Sequence, residues 1–470
     1  MKIAIYVFRE YAKSAPKNDS YEGRLFPGIE IVKSAMEKAG LTVEYCDKTT
    51  AHKYQIVLVS IIASCDVWTY IGERMEWSKS NKPFVVVGGP GVMNVRGYLD
   101  CFDAAVFGRG EDVIVPLIKS VESGSRMEDL SVCYADEFSV DKRYEYKQAI
   151  RPWGKYKLAN GRDADENMIG CYRRCLFCNY TWSRRWSQTE WNQGKSIWGV
   201  SKEMTFFDID VNNPETMKDF SVVGLDGYSE RLRFMVGKGI TRVMWRSFVQ
   251  NLSSSGNQYA KRMVKVFNMC GLPTETTTDV DEMREDATLG GEAAKPNPDG
   301  RVSLIALWFT PFEAIPGTPS AIWPMKYFQY TERDLTGNAT SPGNVYSGNH
   351  VSVKLLPGSA KSLYSVFLNA IIQRAEEQHS DSIRKIAMSG KFWSAPSDVK
   401  RLTLEKYFNP ESFFKGHTWE SLPSRYLHSY IGDECVRALS ENAEKFKDGI
   451  PVKYAPVIER YNKGGKLLLK

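Results

Sequence analysis

Phe84-Val85-Val86-Val87-Gly88-Gly89-Pro90 is an apolar run that stops at once on two glycines and a proline. A strand apolar on both faces belongs in a parallel sheet covered on both sides. Glycines at its carboxyl end mark the edge where such sheets bind ligands. Gln55-Ile56-Val57-Leu58-Val59-Ser60 is a second run of this kind. Upstream, Lys2-Ile3-Ala4-Ile5-Tyr6-Val7 reads as a short strand. Ile29, Val32, Met36 and Ala39 then recur at helical spacing, and Gly40 stands where a helix stops. Leu41 to Tyr45 alternates as a strand. Downstream, Ala104-Ala105-Val106-Phe107 followed by Gly108-Arg109-Gly110-Glu111 repeats the strand-then-glycine pattern. Residues 1–140 therefore predict an α/β, doubly wound, Rossmann-like domain.

Beyond it, the polar residues 141–162 read as a linker, and a second strand series opens. Its candidates are the strand entering Cys171, then Glu203 to Asp210, Phe220 to Leu225, Thr241 to Trp245, Val264 to Met269 and Val302 to Phe309. Repeated strand–helix units of this kind build a parallel barrel or partial barrel, here a partial (β/α)6 barrel over 163–328. Residues 329–470 read as a mainly helical cap, with Leu363, Val366, Phe367, Ala370 and Ile371 on one apolar helix face.

The chain has 470 residues, 43% hydrophobic and 25% charged, which describes an ordinary globular protein of several domains. The formal charge of +6 permits a polyanionic partner without requiring one. Apolar runs such as Ile56 to Cys65 reach about half the ~20 residues a membrane span needs. Arg9 and Glu10 come too soon for a signal peptide. Nine cysteines without a paired framework suit a reducing, cytoplasmic compartment.

Three of those cysteines carry the chemistry. In Gly170-Cys171-Tyr172-Arg173-Arg174-Cys175-Leu176-Phe177-Cys178, thiolates on one tight loop can grip three irons of a cubane cluster from one side. No fourth cysteine is close enough to close the cage, so one iron is left open to a ligand that is not protein. The bacterial ferredoxin spacing does not fit. Structural zinc wants four ligands, usually as two close pairs, whereas Cys46, Cys65, Cys101, Cys133, Cys270 and Cys435 are scattered singly and no histidine lies between His52 and His350. A buried trio of small apolar thiols is the remaining alternative.

This C-x-x-x-C-x-x-C loop, with Phe177 before the last cysteine, resembles the signature of radical S-adenosylmethionine (radical SAM) enzymes. The resemblance runs on through Gly224-Leu-Asp-Gly-Tyr-Ser-Glu-Arg-Leu-Arg233, Lys238-Gly-Ile-Thr241, Gly271-Leu-Pro-Thr-Glu-Thr276 with Asp279, Phe309-Thr-Pro-Phe312 and Pro316-Gly-Thr-Pro319. Ahead of these, Gly88-Gly-Pro90 and Phe107-Gly-Arg-Gly-Glu-Asp112 are similar to the amino-terminal cobalamin-binding-type domain of some members. The resemblance covers roughly residues 1–325. It implies that Cys171, Cys175 and Cys178 ligate a 4Fe-4S cluster whose open iron is chelated by SAM. One electron from the cluster would then split the sulfonium, giving a 5′-deoxyadenosyl radical that abstracts hydrogen from the substrate. It further implies that the Phe177 backbone lies near the adenine and that Asp226, Ser229 and Arg233 meet the polar end of SAM or its ribose. The loop from Gly271 to Glu275 would approach the nucleoside. A reductant such as flavodoxin or ferredoxin is the implied partner. For Arg233 and Glu230 the competing expectation is a solvated helix face, and for Gly271-Leu-Pro a plain strand-to-helix turn.

The sequence also departs from the family. The aspartate-x-histidine-x-x-glycine run that ligates cobalt is absent around His52, so cobalamin would bind without a protein ligand or leave a retained empty domain. Trp182, Arg184, Arg185 and Trp186, with Arg173 and Arg174, place rings and positive charge beside the cysteines. That set fits a nucleotide or a modified base in nucleic acid, although Trp182 and Trp186 are also spaced to pack inward. Three functions are thus in play. They are a radical SAM enzyme acting directly (isomerase, lyase or transferase), a cobalamin-dependent radical SAM methyltransferase on a small molecule or peptide, and a non-catalytic metal-stabilised nucleic-acid-binding protein.

Overall fold

The computed structural model describes residues 1–8, 27–75, 77, 82–149, 151–158, 163–166, 168–171, 175–185, 187–188, 211–213, 217–218, 220–260, 262–327, 343–355, 363–429, 432–433, 436–437 and 440. The expected strands at Glu203–Asp210, Trp186, Arg173, Arg174 and Cys435 lie outside these residues.

Near-continuous apolar runs make the first sheet. Its strands are β1 (Ile3–Tyr6), β2 (Val43–Cys46), β3 (Ile56–Ser60), β4 (Phe84–Gly88), β5 (Ala104–Val106) and β6 (Val132–Tyr134), in spatial order β2-β1-β3-β4-β5-β6. All neighbours are parallel except β5 and β6. The period of two divides each strand between two cores. Ile3, Ile5, Ile56, Leu58 and Val86 face one cluster with residues of α1 (Pro27–Lys38) and α3 (Ile114–Glu122). Ala4, Tyr6, Val57, Val59, Val85 and Val87 face the other, which holds Trp68 and Tyr70 of α2 (Asp66–Arg74) and runs on into the rest of the molecule. Gly40, at φ +81°, ends the segment after α1, as its position suggested.

The connecting stretch is woven into the fold. β7 (Tyr144–Glu145) pairs with β17 (Leu427–His428), and β8 (Gly154–Lys157) pairs with β9 (Asp163–Glu166). The reason is aromatic: Tyr144 and Tyr146 are buried, and Tyr144 packs against Phe107, Phe138 and Tyr426. Arg109 binds both oxygens of Glu166 at 2.6 and 2.7 Å and Glu111 at 2.5 Å, fastening the first domain's glycine loop to β9.

β10 (Met168–Ile169) leads into the cysteine loop and pairs antiparallel with β11 (Ser187–Gln188) on the far side of α4 (Asn179–Trp182). The second sheet contains β12 (Val222–Gly224), β13 (Val264–Cys270), β14 (Ser303–Pro311), β15 (Asn344–Ser347) and β16 (Val351–Leu355), in order β12-β13-β14-β16-β15. β12, β13, β14 and β16 are parallel, and β15 closes the edge antiparallel. Two expectations change here. Thr241 to Trp245 is not a strand: Thr241 accepts from the Met244 amide and caps α6 (Arg242–Leu252), which follows α5 (Glu230–Met235). Its apolar residues Trp245, Phe248, Val249 and Leu252 recur at helical spacing and are buried, so the longer period overrides the short β-prone run. The carboxyl-terminal region also contributes two strands, β15 and β16, before turning helical. α7 (Thr277–Glu292) covers this sheet. α8 (Leu363–Arg374), α9 (Ser380–Ala387), α10 (Gly390–Ser394), α11 (Ser397–Tyr407) and α12 (Pro410–Phe414) follow.

No helix among the described residues is long and apolar enough to cross a membrane.

Candidate active site

The cysteine loop is held by the turns that follow α5 and β14. Leu176 donates to the Val236 carbonyl at 3.0 Å, and Ser320 donates to the Leu176 carbonyl at 3.2 Å. The loop backbone is thus held between the turn after α5 and the turn after β14. Thr181 Oγ1 donates to the Cys171 carbonyl at 2.6 Å, and the Trp182 indole donates to the Cys175 carbonyl at 2.8 Å. These bonds occupy the carbonyls of Cys171, Cys175 and Leu176. Cys175 is buried, while Cys171 and Cys178 are partly exposed.

The three thiols share one electrostatic neighbourhood with Lys238 and Asp226. Burial pushes the Cys175 thiol up to about 12, with the Lys238 ammonium opposing and Cys178, Asp226 and Cys171 adding to the rise. Burial also raises Cys178, and Cys171 and Asp226 add to it. Lys238 Nζ lies 2.6 Å from Asp226 Oδ2 and donates to the Gly224 carbonyl at 3.2 Å. Burial alone would lower the Lys238 pKa, but Asp226 and the Cys175 thiol outweigh it and the net shift is upward. Among the described residues, no group of three or more His, Cys, Asp or Glu side chains is gathered at metal-holding distance. In donor type alone, three thiols suit an iron–sulfur cluster.

Backbone conformation singles out the same place. Asp226 (φ +58°) and Thr274 (φ +65°) are the only non-glycine residues in the left-handed region among the described residues. For a β-branched threonine this is a true outlier, and such strain gathers at functional sites. Asp226 follows β12 and Thr274 follows β13, so both turn the chain at the carboxyl ends of neighbouring parallel strands.

A polar network binds these two turns together. Arg231 donates to Thr274 Oγ1 at 2.7 Å, to the Thr274 carbonyl at 3.0 Å and to Asp279 at 2.6 Å. Asp279 also accepts from the Ser229 hydroxyl at 2.5 Å and the Thr276 amide at 2.8 Å, forming the capping box of α7. Burial works to raise the Asp279 carboxyl, but bonds from Ser229 and Arg231 hold it below the usual range. Neither Arg231 nor Asp279 stood out as a network in the sequence. The capping spacing from Thr276 to Asp279 was the available signal.

Several expected ligand residues turn out to have structural partners. Glu275 is buried, and its carboxylate accepts from the amides of Gly271 at 2.9 Å and Leu272 at 3.2 Å. Arg233 is fully buried, so it is no solvated helix face. It donates to the carbonyls of Ile240 at 2.7 Å and Tyr228 at 2.8 Å, and burial lowers its pKa to about 10. Ser229 caps α5 as well as meeting Asp279. Gly271, at φ +78°, makes the turn that its position predicted, and Phe177 packs partly buried against the core. Trp182 is buried with its indole bonded to the cysteine loop, so it is a packing residue and not a stacking platform. Arg184 lies over the exposed ring of Tyr180 at 4.7 Å.

The first sheet's glycine turn is filled by the chain itself. A Cβ on Gly89 would stand 2.5 Å from the Ile61 carbonyl oxygen, and one on Gly91 would stand 2.7 Å from Ile61 Cγ2 and 2.9 Å from Ala63. Beside it, Asn94 donates to the carbonyls of Ile372 and Ala375 at 3.0 and 2.8 Å, and the Trp68 indole donates to Leu368 of α8 at 3.1 Å. Close packing of this kind does not fit a cradle for cobalamin.

No family model matches the chain, and no curated protein matches it. The structure of the cobalamin-dependent S-adenosylmethionine radical enzyme OxsB with aqua-cobalamin bound is similar at a TM-score of 0.38 and 11% identity, over 63% of this chain and 53% of that chain. A likeness at that level carries no argument about this chain's chemistry.

Proposed function

We propose that this chain is a radical SAM enzyme with its centre under the 171–178 loop, at the carboxyl edge of β12, β13 and β14. The supporting observation is one of coincidence. A three-thiol loop, a buried ion pair and the two strained non-glycine residues of the described chain all meet at that edge. A 4Fe-4S cluster held by Cys171, Cys175 and Cys178 would supply one-electron reductive cleavage of SAM.

The chain's own residues hold and orient. Cys171, Cys175 and Cys178 are the ligands; Asp226, Gly271 and the Phe177 backbone face SAM. Ser229, Arg233 and Glu275 act one step back, fixing the turns that present those groups. In the proposed layout, residues 1–140 are a Rossmann-like support and 163–328 the core of a partial barrel. β12 pairs directly with β13, where Thr241 to Trp245 was expected to intervene, and β16 extends the sheet beyond β14. No step is routed through cobalamin.

The proposed substrate class is a nucleotide or a modified base, supported by Arg184 on Tyr180 beside the cysteine loop. With Trp182 buried, aromatic stacking at that position no longer supports it. Anaerobic reconstitution tests the enzyme reading. Iron–sulfur absorbance and dithionite-dependent 5′-deoxyadenosine are expected, and tetrahedral zinc without SAM cleavage defeats it. Mass spectrometry of nucleosides from cells with and without the gene tests the substrate class.

A further inference from the structure

Lys238 is a buried cation in the turn bonded to the cysteine loop, and nothing in the ligand set above uses it. It sits in the turn after α5, where its amide donates to the Arg233 carbonyl at 2.8 Å. Two residues earlier, the Val236 carbonyl accepts from Leu176, the residue next to Cys175. The two turns are therefore tied backbone to backbone, with a buried thiol on one and a buried ammonium on the other. The ammonium is clamped by Asp226 at 2.6 Å and by the Gly224 carbonyl at 3.2 Å. There is little slack at that point. A Cβ added to Gly224 would lie 3.1 Å from both Lys238 Nζ and Asp226 Oδ2, so a side chain there would press on the pair.

We propose that the Lys238–Asp226 pair is a positioning and tuning device for the iron–sulfur cluster: Asp226 fixes the ammonium in the turn that is tied to the Cys175 segment, and the ammonium favours the reduced cluster. This inference rests on the radical SAM reading. The redox step it concerns adds one electron from an external low-potential reductant to the cluster and moves no proton, so the cluster becomes one unit more negative. A fixed positive charge in a low-dielectric surrounding stabilises the more negative state and raises the potential, while a carboxylate does the reverse. Neutralising one member of the pair leaves the other uncompensated. The two substitutions must therefore move the potential in opposite directions.

The test is a redox titration of the full-length, anaerobically reconstituted protein without SAM, followed by electron paramagnetic resonance of the reduced cluster. K238M is expected to shift the midpoint to more negative potential and D226N to more positive potential, with K238R close to wild type. A purely structural role would change iron content or thermal stability and leave the midpoint of the surviving cluster in place. If K238M does not fold, D226N alone decides by its sign. An unmoved midpoint, or shifts of the same sign in both variants, overturns the tuning role while leaving the enzyme reading intact. A wild-type protein that holds no cluster overturns the enzyme reading itself, and this inference with it.

Discussion

The two larger sheets of the described residues are mainly parallel, and their carboxyl edges are built in opposite ways. At the first, the glycine turn at Gly88–Gly91 closes down on Ile61 and Ala63, and α8 covers its flank through bonds to Asn94 and Trp68. Backbone meets backbone, and the side chains that meet there are mostly apolar or amide. At the second, the turns after β12 and β13 are strained at non-glycine residues and stapled by the charged side chains Arg231, Asp279, Lys238 and Asp226. Topology alone does not make an edge reactive. The first edge uses glycine to let chains touch; the second uses charge to hold turns open in conformations the backbone resists.

The largest expected effects separate the two edges by chemistry. Alanine at Cys171, Cys175 or Cys178 should abolish iron retention and 5′-deoxyadenosine formation, read by iron analysis and chromatography, while thermal unfolding stays near wild type. Retained iron would move the centre elsewhere.

D279A should cost about 3 kcal/mol in denaturant unfolding, because it takes the carboxylate partner from Arg231 and removes the acceptor for Ser229 and Thr276. A loss below about 1 kcal/mol would mean that the two turns hold without the staple.

G89A probes the other edge. Gly89 lies at φ +103° with its Cβ position against the Ile61 carbonyl, so a loss of about 2 kcal/mol is expected with the cluster's properties unchanged. A neutral result would show that the turn has room.

The Asp279 carboxyl also predicts a pH signature. Its folded pKa is depressed, so its contribution is complete above the ordinary carboxylate value of about 3.9 and is lost as pH falls through the folded value. The melting-temperature gap between wild type and D279N should therefore be constant near neutrality and narrow only below about pH 4. A gap that narrows between pH 5 and 7 would contradict the depressed value.

The smallest effect is expected from T274N. Asparagine accepts the left-handed region and keeps an oxygen for Arg231, so a gain of up to about 1 kcal/mol is expected. Destabilisation would show that the conformation is no burden there.

How much of this was legible in sequence differs by element. The apolar runs at Ile56 and Phe84 gave the first sheet, because burial on both faces needs continuous apolar residues. The spacing of Thr276 and Asp279 held the start of α7. Thr241 to Trp245 misled because a short apolar run has no period of its own; only Phe248, Val249 and Leu252 beyond it show the helix. Trp182 looked available because sequence does not reveal which way a ring points, and the structure turns its indole onto the Cys175 carbonyl.

By itself, the sequence determined an α/β chain with strands of buried character, a three-cysteine loop and the turns marked by glycine. Those features follow from local periodicity and side-chain chemistry. Only the tertiary structure decided that Ser229, Arg233 and Glu275 serve the turns, that the first sheet's glycines pack against its own backbone, and that Lys238 pairs with Asp226 in a turn tied to the cysteine loop. Each of these depends on contacts between segments distant in the chain, for which no local pattern carries a signal.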